Sequence, residues 1–269
     1  MLQRAITGTF FVLVLVAGYL YSGLSAWALS TVIFLLGFRE FNTITRDNKH
    51  YKINPIFWLS AASISMAMFP DWAAYKWFIL SFNLVLIPVA LISELYRKQE
   101  QPIETTAMGV LGLLYTALIY FIFLSAFQNS EYEGTTAIGF YILIWINDTF
   151  AYLSGRFFGK NKLFERISPK KTWEGSIGGG LCTLGISYVL SIFFTQLNPI
   201  QWLIIAVIAI IFGALGDLVE SLLKRNYGIK DSGNILPGHG GILDRFDAAL
   251  LAAPILYFFL NNFVNQSLF

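Results

Sequence analysis

Charge is what this sequence has least of. Only 13% of its 269 residues are Asp, Glu, Lys or Arg, against about 25% in an ordinary soluble domain, while 56% are hydrophobic. A soluble fold of this length could not hide so much apolar surface. Cysteine is scarcer still: Cys182 is the only one, so a single chain can form neither a disulfide framework nor a cysteine-based metal site. The apolar residues do not alternate with period two, which sets aside a membrane barrel. Internal repeats, low-complexity tracts and a separate soluble domain are missing as well. The net charge of +2 says little; where the charges sit says more.

What is present is a series of continuous apolar runs of about 17–22 residues, close to the length at which an α-helix crosses a bilayer. Inside lipid every backbone N–H and C=O must be satisfied within the protein, and continuous runs do this as helices. The expected fold is therefore all-α: a polytopic integral membrane protein with about nine transmembrane helices. The spans fall near 5–22, 24–41, 54–70, 77–94, 106–127, 135–154, 176–194, 200–223 and 243–263. The first run follows Arg4 and has the outline of a secretory signal. It lacks a small-residue cleavage site and leads straight into the next run, so it reads as a spanning helix. Short cytoplasmic loops carry an excess of Lys and Arg. With nine spans, every one of the 18 Lys and Arg except Lys76 falls on one side. The N-terminus is then expected in the cytoplasm and the C-terminus outside. One helix more or fewer in the middle would scatter the charges over both faces.

The chain divides unevenly. Residues 1–130, holding spans one to five, have almost no ionisable group in the span interiors and read as scaffold. Residues 131–269 differ, because Asp148, Asp217, Glu220, Asp244, Arg245 and Asp247 lie at or just inside the expected cytoplasmic ends of spans six, eight and nine. A charge in a membrane helix costs at least about 2.5–3.5 kcal/mol on insertion scales, so such groups pair, bind ions or line a watery cavity.

Three clusters carry these charges. In the first, Asn147-Asp148 leads to Tyr152, Gly155 and Arg156; Asp148, Tyr152 and Gly155 recur at i, i+4 and i+7 and share one helix face. Gly155 and Gly159-Lys160 superficially resemble a phosphate loop, but three residues rather than four separate the glycines and Asn161 follows the lysine, so the motif is not met. The second cluster is Ser168-Pro-Lys170-Lys171-Thr172-Trp173-Glu174-Gly175. Two lysines ahead of a helix start bring positive charge and unpaired N–H groups together, as a phosphate requires; a plain topology signal for the cytoplasmic side fits the same pair. In the third, Asp217, Ser221 and Lys224 share a face of span eight, Arg225 and Lys230 follow, and His239, Asp244, Arg245 and Asp247 open span nine. Two helix ends thus present carboxylates to one pocket. One or two carboxylates plus substrate phosphates is the oxygen set Mg²⁺ prefers, whereas a salt-bridge network locking the two helices is the bland account.

At this third cluster the sequence resembles the phosphatidate cytidylyltransferases, or CDP-diacylglycerol synthases. Their pattern of Ser, spacer, apolar residue, Lys-Arg, four spacers, Lys-Asp, an apolar-Pro-Gly-His-Gly-Gly stretch and Asp-Arg-apolar-Asp is met from Ser221 to Asp247. Asn147-Asp148 and the segment from Ser168 to Gly175 also look like the family's, whereas the first 130 residues agree in hydropathy and topology only. The resemblance implies transfer of the cytidylyl group of CTP to phosphatidate in phospholipid biosynthesis, giving CDP-diacylglycerol and pyrophosphate. It implies a multi-pass protein of the bacterial inner membrane whose active site faces the cytoplasm. Asp217, Asp244 and Asp247, with Lys224 and Arg225, are then expected at the chemistry. Asp217 and Asp244 are expected to hold Mg²⁺, with Asp148 and Asp247 supporting it or holding a second metal ion. Lys170, Lys171, Thr172, Ser221, Lys230, His239, Arg245, Asn147 and Arg156 would bind the substrates. Membrane lipid is an expected partner and nucleic acid is not; oligomeric state stays open, a homodimer included.

Two other membrane lipid enzymes with aspartate motifs do not fit. CDP-alcohol phosphotransferases need Asp-x-x-Asp-Gly, but Ala248 follows Asp247; prenyltransferases need Asn-Asp-x-x-x-Asp, but Tyr152 stands where the last Asp belongs. A CTP-dependent polyprenol kinase remains the nearest enzymatic alternative, and a cation-coupled transporter the alternative from another class. A transporter would bind near the midplane between related halves, whereas these charges gather at one face and the halves are unalike.

Overall fold

A computed structural model of the chain describes residues 2–49, 52–126, 134–236, 238 and 240–264. It is almost entirely helical: α1 (Leu2–Tyr21), α2 (Gly23–Lys49), α3 (Ile56–Ala67), α4 (Lys76–Arg97), α5 (Pro102–Ala117), α6 (Tyr120–Ser125), α7 (Gly134–Phe158), α8 (Trp173–Phe193), α9 (Pro199–Ile208), α10 (Ala214–Asn226) and α11 (Leu243–Phe259). Among the described residues seven helical stretches are long and apolar enough to cross a membrane. The chain is therefore an all-α polytopic membrane protein. The first and third of the nine expected spans correspond to two shorter apolar helices, Ile6–Tyr21 and Ile56–Ala67.

Three expected spans are not uniform helices, the ninth ending in a π turn, Leu260–Val264, after α11. The fifth is α5 and α6 in succession, and the eighth is α9 and α10 joined through a π turn, Ala209–Gly213. Such π turns occur often beside functional sites, and this one lies just ahead of Asp217. The basic loop between α7 and α8 holds an element that the sequence reading lacks. Strands β1 (Lys162–Phe164) and β2 (Ser168–Thr172) form an antiparallel hairpin in which Lys162 faces Thr172 and Phe164 faces Ser168. Strands of three and five residues are too short to show a period-two pattern.

Lipid is as apolar as a leucine side chain, so these helices are held by close packing and interhelical hydrogen bonds rather than by escape from water. Phe34, Phe38 and Phe41 of α2, Phe57 of α3, Phe140 and Tyr141 of α7, Trp202 of α9 and Phe246 of α11 are fully buried. Hydrogen bonds pin the scaffold helices: Tyr120 to Ser65 at 3.0 Å and to Thr31 at 2.9 Å, and Asn54 to Glu94 at 2.8 Å. Each contributes about 0.6 kcal/mol. Apolar side chains cover the outside too, as Trp77 and Phe78 at the start of α4 show with 79% and 77% exposure.

Glycines bring the helices that carry the site backbone to backbone. A Cβ on Gly179 of α8 would lie 2.7 Å from the Asn147 carbonyl oxygen of α7. One on Gly216 of α10 would lie 2.5 Å from the Asp247 carbonyl oxygen of α11. No side chain fits at either place, so Asn147 and Asp247 are held directly against neighbouring backbones.

Candidate active site

The C-terminal half of α7, strand β2, α10 and the start of α11 meet around one cavity of about 610 Å³, within the range of small-molecule sites. Every site residue expected from the sequence lines it except His239, which lies outside the described residues. α7 supplies Asn147, Asp148 and Arg156; β2 supplies Lys170, Lys171 and Thr172; α10 supplies Asp217, Ser221, Lys224 and Arg225. Lys230 comes from the following loop, and Asp244, Arg245 and Asp247 from α11.

Local geometry explains how each stretch gets there. Thr172 caps α8, its Oγ1 accepting from the Gly175 N–H at 3.2 Å, and so fixes the end of β2 that carries the two lysines. Glu174 closes the base of the hairpin by accepting from the backbone N–H of Lys160 and Asn161, both at 3.1 Å, and from Asn161 Nδ2 at 2.7 Å. On α10, Asp217, Ser221, Lys224 and Arg225 fall on the face turned to the cavity, at helical spacings of three and four.

The charges pair across elements. Lys171 Nζ meets Asp217 Oδ2 at 2.7 Å, linking β2 to α10, and Ser221 Oγ donates to Asp217 Oδ1 at 3.2 Å. Lys224 lies between two carboxylates, 2.7 Å from Asp244 Oδ1 and in contact with Glu220. The other oxygen of Asp244 accepts from Gly241 N–H at 2.8 Å, Ser232 N–H at 2.9 Å and Ser232 Oγ at 3.0 Å.

The two aspartates of α11 thereby differ. Asp244 spends most of its lone pairs on the loop and on Lys224. Among the described residues Asp247 accepts only from the N–H of its neighbour Ala248, at 2.7 Å. Asp148 has no ion pair among the described residues. It lies close enough to Asp217, Lys171 and Arg245 to interact with their charges, and Asp247 is similarly close to Asp217, Glu220 and Asp148. Three carboxylates from three helices therefore repel one another across the cavity, with one lysine among them.

Among the described residues no three carboxylate, imidazole or thiol groups converge tightly enough to form a ready metal cage. That donor set still suits Mg²⁺, which keeps several waters and takes one or two carboxylates together with substrate phosphates. Asp217, Asp247 and Asp148 have the free lone pairs for it, and Asp244 has what remains on Oδ1.

Sequence reasoning left three residues of this neighbourhood without a role. Glu220, only 1% exposed, stood out as a carboxylate inside a membrane helix, yet nothing marked it as the second partner of Lys224. Ser232 sits unremarked inside the loop motif, and a lone serine gives no spacing signal. Glu40 of α2 reaches the same loop from about two hundred residues away and has no local signature at all.

Comparison with known proteins identifies the family of the chain. The model of a group described as the Cytidylyltransferase family matches residues 2–263. A phosphatidate cytidylyltransferase of Staphylococcus saprophyticus is 39% identical over 208 residues, 74% of this chain and 76% of the relative. One from Staphylococcus haemolyticus is 53% identical over 118 residues, 43% of this chain and 45% of the relative. One from Staphylococcus epidermidis is 48% identical over 133 residues, covering 48% and 51%. Matched by that family model from near one end to the other, the chain belongs to the cytidylyltransferase family.

Proposed function

We propose that this protein is a CTP:phosphatidate cytidylyltransferase, with its cavity on the cytoplasmic side of a bacterial inner membrane. The observation that carries the reading is the convergence of four separate stretches on one cavity, with cations on β2 and α10 facing carboxylates on α7, α10 and α11. A site for two polyanions needs that balance. An oxygen of the phosphatidate phosphate attacks the α-phosphorus of CTP; the new P–O bond forms as the bond to the β-phosphate oxygen breaks, and pyrophosphate leaves. The attacking phosphate is already largely ionised at neutral pH, its second pKa being about 6, so the protein need not supply a base. No covalent intermediate is required, and the Ser221 hydroxyl is engaged with Asp217.

The protein's share is alignment and charge neutralisation. Lys170, Lys171, Arg156, Lys230 and Arg245 hold phosphate oxygens; Lys224, fixed between Glu220 and Asp244, presents its ammonium to the cavity wall. Asp217 and Asp247 would hold Mg²⁺, with Asp148 or Asp244 completing the set, and the ion would neutralise charge on the CTP phosphates. Cavity-lining Ala151, Tyr152, Ile210 and Ala214 give the lipid an apolar flank, so the acyl chains enter sideways between helices while CTP comes from the aqueous side.

Purified protein given phosphatidate and CTP labelled at the α-phosphate should yield a chloroform-soluble labelled product, and γ-labelled CTP should not. Lipid labelling from the γ-position would instead mean a CTP-dependent kinase, and labelling from neither would exclude both.

A further inference from the structure

α2 belongs to the half of the chain that reads as scaffold, yet it places a carboxylate against the loop that builds the site. Glu40 is 4% exposed. Its oxygens accept from Ile242 N–H at 2.8 Å and Leu243 N–H at 2.9 Å, and Oε2 lies 3.2 Å from Ser232 Oγ. No Lys or Arg pairs with it among the described residues. Its charge is met by these donors and by the positive end of α11.

α11 needs this help, because the residue at its N-cap position is Ile242, which offers no side-chain hydrogen bond of its own. The loop is also shaped to admit the group: Cβ atoms on Gly233 and Gly241 would lie 2.7 and 2.5 Å from its two oxygens. Ser232 joins Glu40 to the site: its one hydroxyl proton is shared between Glu40 Oε2 at 3.2 Å and Asp244 Oδ2 at 3.0 Å, and its oxygen accepts from the Asp244 N–H at 3.3 Å. Asp244 in turn holds Lys224 at 2.7 Å.

We propose that Glu40 is a positioning residue for cytidylyl transfer, fixing the start of α11 and Ser232 and, through them, the Asp244–Lys224 pair at the cavity. The proposal rests on the reading that this pair serves turnover. Glu40 touches no cavity-facing group itself, so its removal should act on rate more than on substrate binding.

Four variants of the full chain test this: Glu40→Gln, Ser232→Ala, the double variant and Asp244→Asn. Each is assayed for kcat and for KM with both substrates per folded enzyme, alongside thermal unfolding in detergent. Glu40→Gln places an amide N–H₂ against backbone donors, and a displacement on the order of 1 Å lowers kcat by about ten- to a hundredfold with little change in either KM. Ser232→Ala keeps both Glu40 bonds to α11 but loses the contact of the hydroxyl with the Asp244 N–H at 3.3 Å, so it should lower kcat with a smaller fall in melting temperature than Glu40→Gln. Because both act through Asp244, the double variant should fall no more than about threefold below Glu40→Gln, far short of additivity. Full additivity, or an unchanged kcat in Ser232→Ala, would overturn the proposal. So would a Glu40→Gln loss that vanishes when rates are corrected for folded protein. Should Glu40→Gln not fold, Glu40→Asp and Ser232→Ala carry the same comparison. An Asp244→Asn variant that keeps its rate would instead sink the role of the Asp244–Lys224 pair, separately from Glu40.

Discussion

Replacing Lys171 by alanine separates a substrate-binding cation from a helix lock. Its ammonium lies 2.7 Å from Asp217, and the two side chains keep 26% and 31% exposure. An ion pair that open to solvent contributes about 0–1 kcal/mol to stability. Its loss should therefore lower the melting temperature by no more than about 4 °C in a chain of this size. The effect on turnover should be far larger. A charge-assisted contact to a phosphate contributes about 1.5–3 kcal/mol, and Asp217 would then face Asp148 and Asp247 without the lysine between them. At 1.36 kcal/mol per factor of ten, kcat/KM should fall by about ten- to a thousandfold. Lysine-to-arginine exchange should restore part of the rate, because the guanidinium keeps the charge but not the compact shape. Steady-state kinetics against CTP and phosphatidate in turn, with unfolding followed in parallel, is the assay. An unchanged kcat/KM for both substrates would leave Lys171 as a topology signal. A rate that fell only in step with the melting temperature would leave it as a helix lock.

Three further outcomes follow from the same geometry. Asp217→Asn should abolish turnover with near-normal stability, whereas Asp244→Asn should also lose about 3 kcal/mol or more, because it strips a partner from the largely buried Lys224; equal melting temperatures would contradict the different anchoring of the two. Gly216→Val should disrupt the contact of α10 with the Asp247 backbone and lose about 1–3 kcal/mol together with activity, read as a lower melting temperature in detergent; a stable, active variant would show that the helices have room. In a Cys182→Ala background, cysteine at Asn161 should react only with reagents that reach the cytoplasm and cysteine at Thr195 only from outside; labelling of both from the same side would overturn the nine-span arrangement.

Much of this was legible in the sequence because membrane physics writes it there. Continuous apolar runs mark helices wherever the backbone must satisfy itself, and carboxylates inside such runs mark a site because their insertion is so unfavourable. Fourteen of the fifteen expected site residues reach one cavity for that reason, the remaining one being His239 outside the described residues. What stayed hidden depends on chain segments that meet only in three dimensions. Asp244 and Asp247 are one helical turn apart and chemically identical, so spacing gives no ground for the expected order in which Asp244 leads and Asp247 supports. Gly241, Ser232 and Lys224 then occupy one and leave the other more open. The same holds for the division into scaffold and catalytic halves. A count of charges puts Glu40 among inert helices, because its partners, Ser232, Ile242 and Leu243, contribute one hydroxyl and two backbone N–H groups. Backbone donors leave no trace in composition, so a carboxylate that serves them is invisible until the helix start it caps is brought beside it.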